Sequence, residues 1–421
     1  MKIAFVTFGC RLNRAESLDL EAQYAAAGWD VVPLTAGAGG IGSGHQDSPD
    51  VVVVRGCSVT AKAQRDCDRK IAQIRTRFPD AETVVVGCHP DAKPIPERLA
   101  PSAAGETPVN RQLSRGYVKV QDGCSGKCAF CIVPSFRGAP VSEPFEKVAE
   151  RVRAHLDAGF REIVVTGCNL CLYRDADRHL PELVSALAEL DSPGHRVRLG
   201  SIEPGICDAA LLDAMEAHPN ICRFVHLSLQ SGSNRILRLM RRPYRIERVA
   251  EFCEDARRRL GPRLAIGADV IAGFPGETEA DFGETREFLS SIKAVSNLHV
   301  FPYSEREGTE AATMVPPVPA GIRRERAREL EAIGAANREA FARGFIGREV
   351  TVCVEKDGNG RTDEYLRCRL KGFAPRRSLA SAVVDEYFPK TGMLSATICA
   401  QKTTGGFDHE EQKAQKRSDD A

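Results

Sequence analysis

At 421 residues the chain is too long for one ordinary core, and a prior of roughly 150 residues per domain suggests two or three. Hydrophobic residues at 43% and charged residues at 27% are those of a soluble globular protein. A formal net charge of +1 excludes a chain that is basic throughout, so any surface for nucleic acid has to be local.

The chain opens on Met1-Lys2-Ile3-Ala4-Phe5-Val6-Thr7-Phe8-Gly9-Cys10, a short strand without the apolar stretch or small-residue cleavage site of an export signal. No apolar run approaches the roughly 18 residues of a membrane span. The fifteen cysteines therefore read as reduced thiols in the cytoplasm rather than as a disulfide framework. Over residues 1–90, strands at Lys2 to Phe8, Trp29 to Leu34, Val51 to Arg55 and Thr83 to Val86 alternate with helices near Ala15 to Ala27 and Ala61 to Arg77. This is the pattern of a small parallel sheet with helices on its faces, whose functional loops lie at the carboxyl ends of the strands. Cys10, Cys57 and Cys88 each fall just after a strand and can converge on one edge, where three thiolates would suit a cluster. Gly37 to Pro49 reads as a flexible loop and residues 91–115 as a linker.

Next comes Asp122-Gly123-Cys124-Ser125-Gly126-Lys127-Cys128-Ala129-Phe130-Cys131. Thiolates at this spacing on one loop can each take one iron of a [4Fe-4S] cube and leave the fourth iron open, free to bind and reduce S-adenosylmethionine. A structural zinc knot is the competing reading. It wants a fourth ligand close by, and the next cysteine is only Cys168, while the lone His155 sits in an expected helix. Phe130 offers a ring that could pack on an adenine.

From Tyr117 to Tyr303 the alternation resumes. Strands are expected near Tyr117 to Gln121, Glu162 to Thr166, Arg196 to Gly200, Phe224 to Ser228, Leu264 to Ile271 and Asn297 to Phe301. Helices fit between them at Pro144 to Ala158, Pro181 to Leu190, Asp208 to Ala217, Ile246 to Leu260 and Glu279 to Ile292. Six strand-helix units suit an incomplete barrel over residues 116–320, although periodicity alone leaves an open doubly wound sheet equally possible. Tyr303 ends the last strand, within reach of the site. His299 reads as a hydrogen-bonded core histidine. Cys67, Cys168, Cys171, Cys207, Cys222, Cys253, Cys353, Cys368 and Cys399 read as buried small hydrophobes, with one reservation: Cys168 and Cys171 lie where the site loops gather. Residues 321–346 form a charged connecting helix. Residues 347–400 change to short alternating strands such as Glu349 to Glu355 and Glu364 to Leu370, and 401–421 read as a disordered tail. Arg367, Arg369, Lys371, Arg376 and Arg377 either hold phosphates or form a solvated face.

The loop of Cys124, Cys128 and Cys131 with its aromatic resembles the signature of radical S-adenosylmethionine enzymes. The contexts Gly9-Cys10-Arg11-Leu12-Asn13, Gly56-Cys57-Ser58-Val59-Thr60 and Gly87-Cys88 narrow the resemblance to the methylthiotransferases, over about residues 1 to 400. The resemblance implies an α/β protein: a small N-terminal parallel α/β domain, a central partial (β/α)6 radical S-adenosylmethionine barrel and a small C-terminal all-β barrel that binds RNA. It implies two [4Fe-4S] clusters, with Cys124, Cys128 and Cys131 holding the one that cleaves S-adenosylmethionine and Cys10, Cys57 and Cys88 holding the one that carries sulfur. Gly273 and Gly276 in Gly273-Phe274-Pro275-Gly276-Glu277-Thr278 match a family motif suited to close approach of the cofactor, and Glu203 and Gln230 fall in matching strand ends of the cofactor and substrate cavity. The family usually has a further strand and helix between Cys88 and Cys124, which this chain lacks.

Cys10-Arg11-Leu12-Asn13 with Glu16-Ser17, and Cys57-Ser58-Val59-Thr60 with Lys62-Ala63, look most like the branch that adds a methylthio group to C2 of threonylcarbamoyladenosine 37 of tRNA, next to the anticodon. Arg55-Gly56 departs from the usual Asn-Thr before Cys57. Alternatives in the family are isopentenyladenosine 37 of tRNA and an aspartate of a ribosomal protein; an alternative of another class is a non-catalytic, metal-stabilised RNA-binding protein. Expected partners are tRNA and an electron donor such as a flavodoxin or ferredoxin, with the sulfur donor open.

Overall fold

The computed structural model describes residues 1–34, 48–101, 109, 113–190, 194–206, 208–292 and 295–399. Most of the loop expected at Gly37 to Pro49, part of the 91–115 linker, Cys207 and the 401–421 tail lie outside the described residues.

The N-terminal sheet is built from β1 (Lys2–Thr7), β2 (Asp30–Val31), β3 (Val51–Cys57) and β4 (Glu82–Cys88), all parallel in the order β2-β1-β3-β4. Helices α1 (Arg11–Ala26) and α2 (Ala61–Arg77) connect them. The strands are near-continuous apolar runs because both faces are covered. Cys67, Ile71 and Ile74 of α2 cover Val52, Val54 and Val85, while Tyr24 of α1 covers Ile3, Val51 and Val53. A short 3-10 helix, Glu97–Leu99, closes that second face, and the Tyr24 hydroxyl donates to the Leu99 carbonyl at 2.5 Å. The segment after β4 thus caps the sheet with Ile95 and Leu99, where the family pattern would place a strand and a helix.

The central region carries the six parallel strands the spacing suggested: β5 (Gly116–Asp122), then β7 (Glu162–Gly167), β8 (Arg196–Leu199) continued through Gly200 into β9 (Ser201–Ile202), β10 (Phe224–Gln230), β11 (Ala265–Ala272) and β12 (Val295–Pro302). A two-residue antiparallel strand, β6 (Val141–Ser142), sits on β5. The edges of this arc are β6 and β12, so the barrel is incomplete. Helices α4 (Phe145–Asp157), α5 (Leu180–Ala188), α6 (Asp208–Ala217), α8 (Ile246–Leu260) and α9 (Glu279–Ser291) match the expected ones. Two more, α3 (Val133–Arg137) and α7 (Asn234–Leu239), are too short to leave a period in the sequence. Helix α1 docks the N-terminal sheet on the arc, with Ala15 packed on Tyr117 and Val164.

Helix α10 (Ala320–Arg343) does more than connect. A Cβ on its Gly334 would lie 2.8 Å from that of Leu298, so helix and β12 are in intimate contact, and its Arg326 forms a buried ion pair with Glu277 at 2.7 Å. The last region is a closed barrel, β13 (Glu349–Val354), β14 (Asn359–Thr362), β15 (Arg367–Lys371), β16 (Leu379–Phe388) and β17 (Met393–Ile398), in the order β13-β14-β15-β17-β16. The strand expected from Glu364 starts only at Arg367. Tyr365 takes a left-handed turn at φ 67° and stacks its ring on Phe224 of the arc, centroids 4.8 Å apart.

Glu162, fully buried, joins the two barrels. It receives Arg196 at 2.6 Å and Arg198 at 2.7 Å. Those guanidiniums also donate to the main-chain oxygens of Thr351, Arg361, Thr362 and Asp363 in the C-terminal barrel. Burial alone would raise the Glu162 pKa, but Arg198 and Arg196 outweigh it and hold the carboxyl well below the usual range.

Candidate active site

Cys57 and Cys88 end two paired strands in register, and Cys10 stands at the N-cap of α1. Gly9, at φ 94°, brings the first loop against the second: a Cβ there would meet Cys57 Cβ and Sγ at 2.7 and 2.8 Å. Asn13 ties the two loops, donating to the carbonyls of Phe8 and Gly56 at 2.8 Å each. The three thiols therefore sit on one sheet edge. Cys10 is exposed; Cys57 and Cys88 are buried, and burial raises both thiol pKa values.

The second set follows β5. Gly123, at φ 66°, lies so close to the next turn that a Cβ would fall 2.0 Å from the Ala139 carbonyl oxygen. Gly126 is tucked between two thiols, a Cβ at that position being 3.2 Å from Cys124 Sγ and 3.7 Å from Cys128 Sγ. Its N–H donates to Cys124 Sγ at 3.2 Å. The loop is pinned at Ala129, which donates to Met240 O at 3.1 Å and accepts from Ala311 N at 2.8 Å. Cys131 is pushed up to about 11 by burial.

One side chain touches both sets of loops. Arg137 of α3, 7% exposed, donates from Nε to Cys88 Sγ at 3.0 Å, from Nη1 to Asp122 at 2.9 Å and to Glu16 at 2.9 Å, and from Nη2 to Asn13 Oδ1 at 2.6 Å. Asp122 immediately precedes the Gly123-Cys124 turn, and although burial would raise its pKa, Arg137 and Lys119 bring it down to about 2. Glu16 in turn receives Arg55 at 2.8 Å and Lys119 at 3.0 Å. Arg55 is therefore built into this network through Glu16 and Ser17, which accounts for it physically at the position where the family pattern has a neutral residue. Arg242 plays the matching part at the other set, donating to Cys128 Sγ at 3.2 Å and pairing with Glu203 at 3.2 Å.

Of the other expected site residues, Glu203 lies beside this arginine and accepts from Asn169 Nδ2 at 2.7 Å. Phe130 is partly buried beside a cluster of Ala129, Met240, Phe274 and Tyr303. The Tyr303 ring meets Phe274 edge-on at 5.5 Å, and its buried hydroxyl has no hydrogen-bond partner among the described residues. Gln230 ends β10 at φ 68°, beyond a register shift. Gly273 is closely approached, but by Arg323 of α10, whose Cγ would be 2.5 Å from a Cβ; Gly276 meets only Leu239 at 3.7 Å. His299 is hydrogen-bonded, to Asp269 at 3.1 Å, but is half exposed rather than core.

Cys168 and Cys171 do reach the site. Cys168 Sγ donates to Asp122 at 3.3 Å, and Cys171 Sγ accepts from Glu203 N–H at 3.3 Å. Arg137, Asp122, Glu16 and Arg242 were not assigned roles from the sequence. Asp122 and Arg137 flank the Cys124–Cys131 loop and Glu16 follows Cys10, but Arg242 is remote in sequence from all six cysteines, and a buried charge has no periodicity to betray it. All fourteen described cysteines are free thiols, and no described helix is long and apolar enough to cross a membrane.

Where α1, the start of β5 and the C-terminal barrel meet there is a cavity of about 540 Å³. Arg14, Arg115, Lys356, Arg361, Arg367 and Arg376 line it against the single carboxylate of Glu355. Among the other basic residues noted in the sequence, Arg377 is committed to the arc through the Leu113 and Ala158 carbonyls, and Lys371 pairs with Asp385 at 3.2 Å.

Residues 118–289 match the radical SAM superfamily, and residues 2–105 match an uncharacterized protein family, UPF0004. The chain is 32% identical to the threonylcarbamoyladenosine tRNA methylthiotransferase MtaB of Aquifex aeolicus, across 89% of this chain and 97% of the relative. It is 33% identical to the tRNA-2-methylthio-N(6)-dimethylallyladenosine synthase of Salinispora arenicola, across 87% and 79%. Among solved structures, the radical S-adenosylmethionine methyltransferase TsrM of Kitasatospora setae superposes with a TM-score of 0.51 at 15% identity, covering 74% of this chain and 77% of that one, a likeness of fold. The chain belongs to the radical S-adenosylmethionine methylthiotransferase family. It is a radical enzyme whose barrel works with S-adenosylmethionine and a [4Fe-4S] cluster.

Proposed function

We propose that the protein adds a methylthio group to C2 of threonylcarbamoyladenosine 37 of tRNA, using two [4Fe-4S] clusters, one on Cys124, Cys128 and Cys131 and the other on Cys10, Cys57 and Cys88. The observation that carries this reading is the pair of three-thiol sets on converging loops, braced against each other by the five N–H groups of Arg137. The residues fit such groups: each set offers three sulfurs with a guanidinium donor to one of them, and Gly126 leaves the space between Cys124 and Cys128 free of side chain. When bound, these cofactors supply a 5'-deoxyadenosyl radical at the barrel loop and a sulfur-bearing open iron at the sheet edge.

The chain's own residues orient and shield. Arg137, Glu16 and Asp122 fix the distance between the two loops, and the Phe274–Tyr303 cluster backs the barrel loop with apolar surface that excludes water. Relatives named for both the threonylcarbamoyl and the dimethylallyl nucleoside match at similar identity. The choice of nucleoside therefore rests on the residues around Cys10 and Cys57, of which Asn13, Glu16 and Ser17 build the Arg137 and Arg55 network. Replacing Cys10, Cys57 and Cys88 together with alanine is expected to spare 5'-deoxyadenosine formation and abolish methylthio product, both read by mass spectrometry. Methylthio product at the wild-type level from that variant would reduce the N-terminal thiols to a structural role.

The tRNA reading draws support from the basic cavity. Arg14 and Arg367 are exposed at its rim, so their loss leaves the packing intact. Arg14→Ala and Arg367→Ala should each weaken tRNA binding uniformly across sequences and lower the slope of log affinity against log salt by roughly one unit. An unchanged slope in both variants would move the phosphate contacts elsewhere.

A further inference from the structure

Three side chains outside the thiol sites converge from three neighbouring strands: His226 of β10, Asp269 of β11 and His299 of β12. Their strand neighbours Val225, Leu227, Ala268 and Val300 point the other way, into the core beneath the helices, so the three stand on the concave face of the arc. His226 Nε2 is 2.9 Å and His299 Nδ1 is 3.1 Å from the same oxygen, Asp269 Oδ1, and the three ligand atoms all lie within 4.8 Å of one another. The side chains are 4%, 23% and 47% exposed in the order His226, Asp269, His299, which makes a site closed at its base and open toward the lumen.

We infer that His226, Asp269 and His299 form a binding site for one divalent cation of the kind that takes imidazole and carboxylate ligands, such as Zn2+ or Mn2+. With both imidazoles neutral the set carries one negative charge. Ligand atoms about 2.0–2.2 Å from a metal stand roughly 3.0–3.5 Å from each other, close to the two imidazole–carboxylate distances of 2.9 and 3.1 Å, and two imidazoles with one carboxylate on one side of an ion leave the remaining positions open. The backbone is cut to fit the first imidazole: a Cβ at Gly267 would lie 2.3 Å from His226 Nδ1, so only glycine lets that ring lie against β11. His226 Nδ1 is buried without a hydrogen-bond partner among the described residues, and the ring is held by Asp269 and by its packing against Phe224 and His299. Asn297 lies 3.2 Å from His299 Nε2, and with its side-chain amide turned to present the oxygen it would accept the N–H that a histidine ligating through Nδ1 carries there. No thiol belongs to the set, so it is chemically separate from the iron-sulfur sites, and its open positions face the lumen, where oxygen donors of a bound substrate would complete the coordination.

The test is a Mn2+ titration of the reconstituted holoenzyme after passage over chelating resin, followed by loss of the electron paramagnetic resonance signal of free aqueous Mn2+. Mn2+ is chosen because thiolates compete poorly for it. The expected result is one site per chain, displaced by Zn2+ and weakened at least about tenfold in His299→Ala and in Asp269→Asn. His299 is half exposed, so its replacement leaves the fold intact, which unchanged cluster absorbance and melting would verify. Absence of binding by the wild-type enzyme, or equal binding by both variants, would overturn the inference and leave the triad a hydrogen-bonded one.

Discussion

Replacing Cys124, Cys128 and Cys131 together with alanine is expected to abolish reductive cleavage of S-adenosylmethionine and to remove about half of the roughly eight irons that two [4Fe-4S] clusters would hold. The loop is held by backbone bonds at Ala129 and Cys131 and by the tight Gly123 turn, none of which needs a sulfur, so the variant should fold and keep the N-terminal sheet. The remaining iron should then report on Cys10, Cys57 and Cys88. Anaerobic reconstitution, iron analysis and chromatography of 5'-deoxyadenosine measure both halves of the prediction. Cleavage surviving at the wild-type rate would place the radical chemistry elsewhere in the chain.

The largest effect on stability is expected at Glu162→Ala. Two guanidiniums that are almost wholly buried, Arg196 and Arg198, would lose the carboxylate that bonds them both, leaving Arg196 the more distant Asp363 at 3.7 Å. Removing one partner of such a buried set typically costs about 3–5 kcal/mol, because the remaining charges stay desolvated without compensation. The loss is expected to appear at both barrels at once, since the same guanidiniums bond the C-terminal barrel's main chain. Denaturant unfolding should show it, and a change below about 1 kcal/mol would mean that water reaches these arginines.

The parallel strands were legible because strands covered on both faces read as apolar runs, while the choice of an arc over an open doubly wound sheet came from the family resemblance and not from the six runs spaced by helices. The cysteine loops were legible from spacing and context. What the sequence hid has a common cause, the use of single polar side chains over long sequence distances. Arg137 meets Asn13 and Glu16 from more than a hundred residues away, and its five-residue helix carries no period. Arg326 turns the apparent connector α10 into part of the arc's wall. Gly273 is closely approached by Arg323 of α10, a long-range contact that two glycines in a turn cannot express. Tyr365 broke an alternating strand because its ring is worth more against Phe224 and Arg198 than in the ladder.

The most direct test of the whole account is to give the reconstituted enzyme S-adenosylmethionine, a reductant, sulfide and tRNA carrying threonylcarbamoyladenosine, and to analyse the digested nucleosides by mass spectrometry. The account predicts 2-methylthio-threonylcarbamoyladenosine at position 37, formed together with 5'-deoxyadenosine. Formation of 5'-deoxyadenosine without that nucleoside, alongside ready conversion of a tRNA carrying isopentenyladenosine, would contradict it.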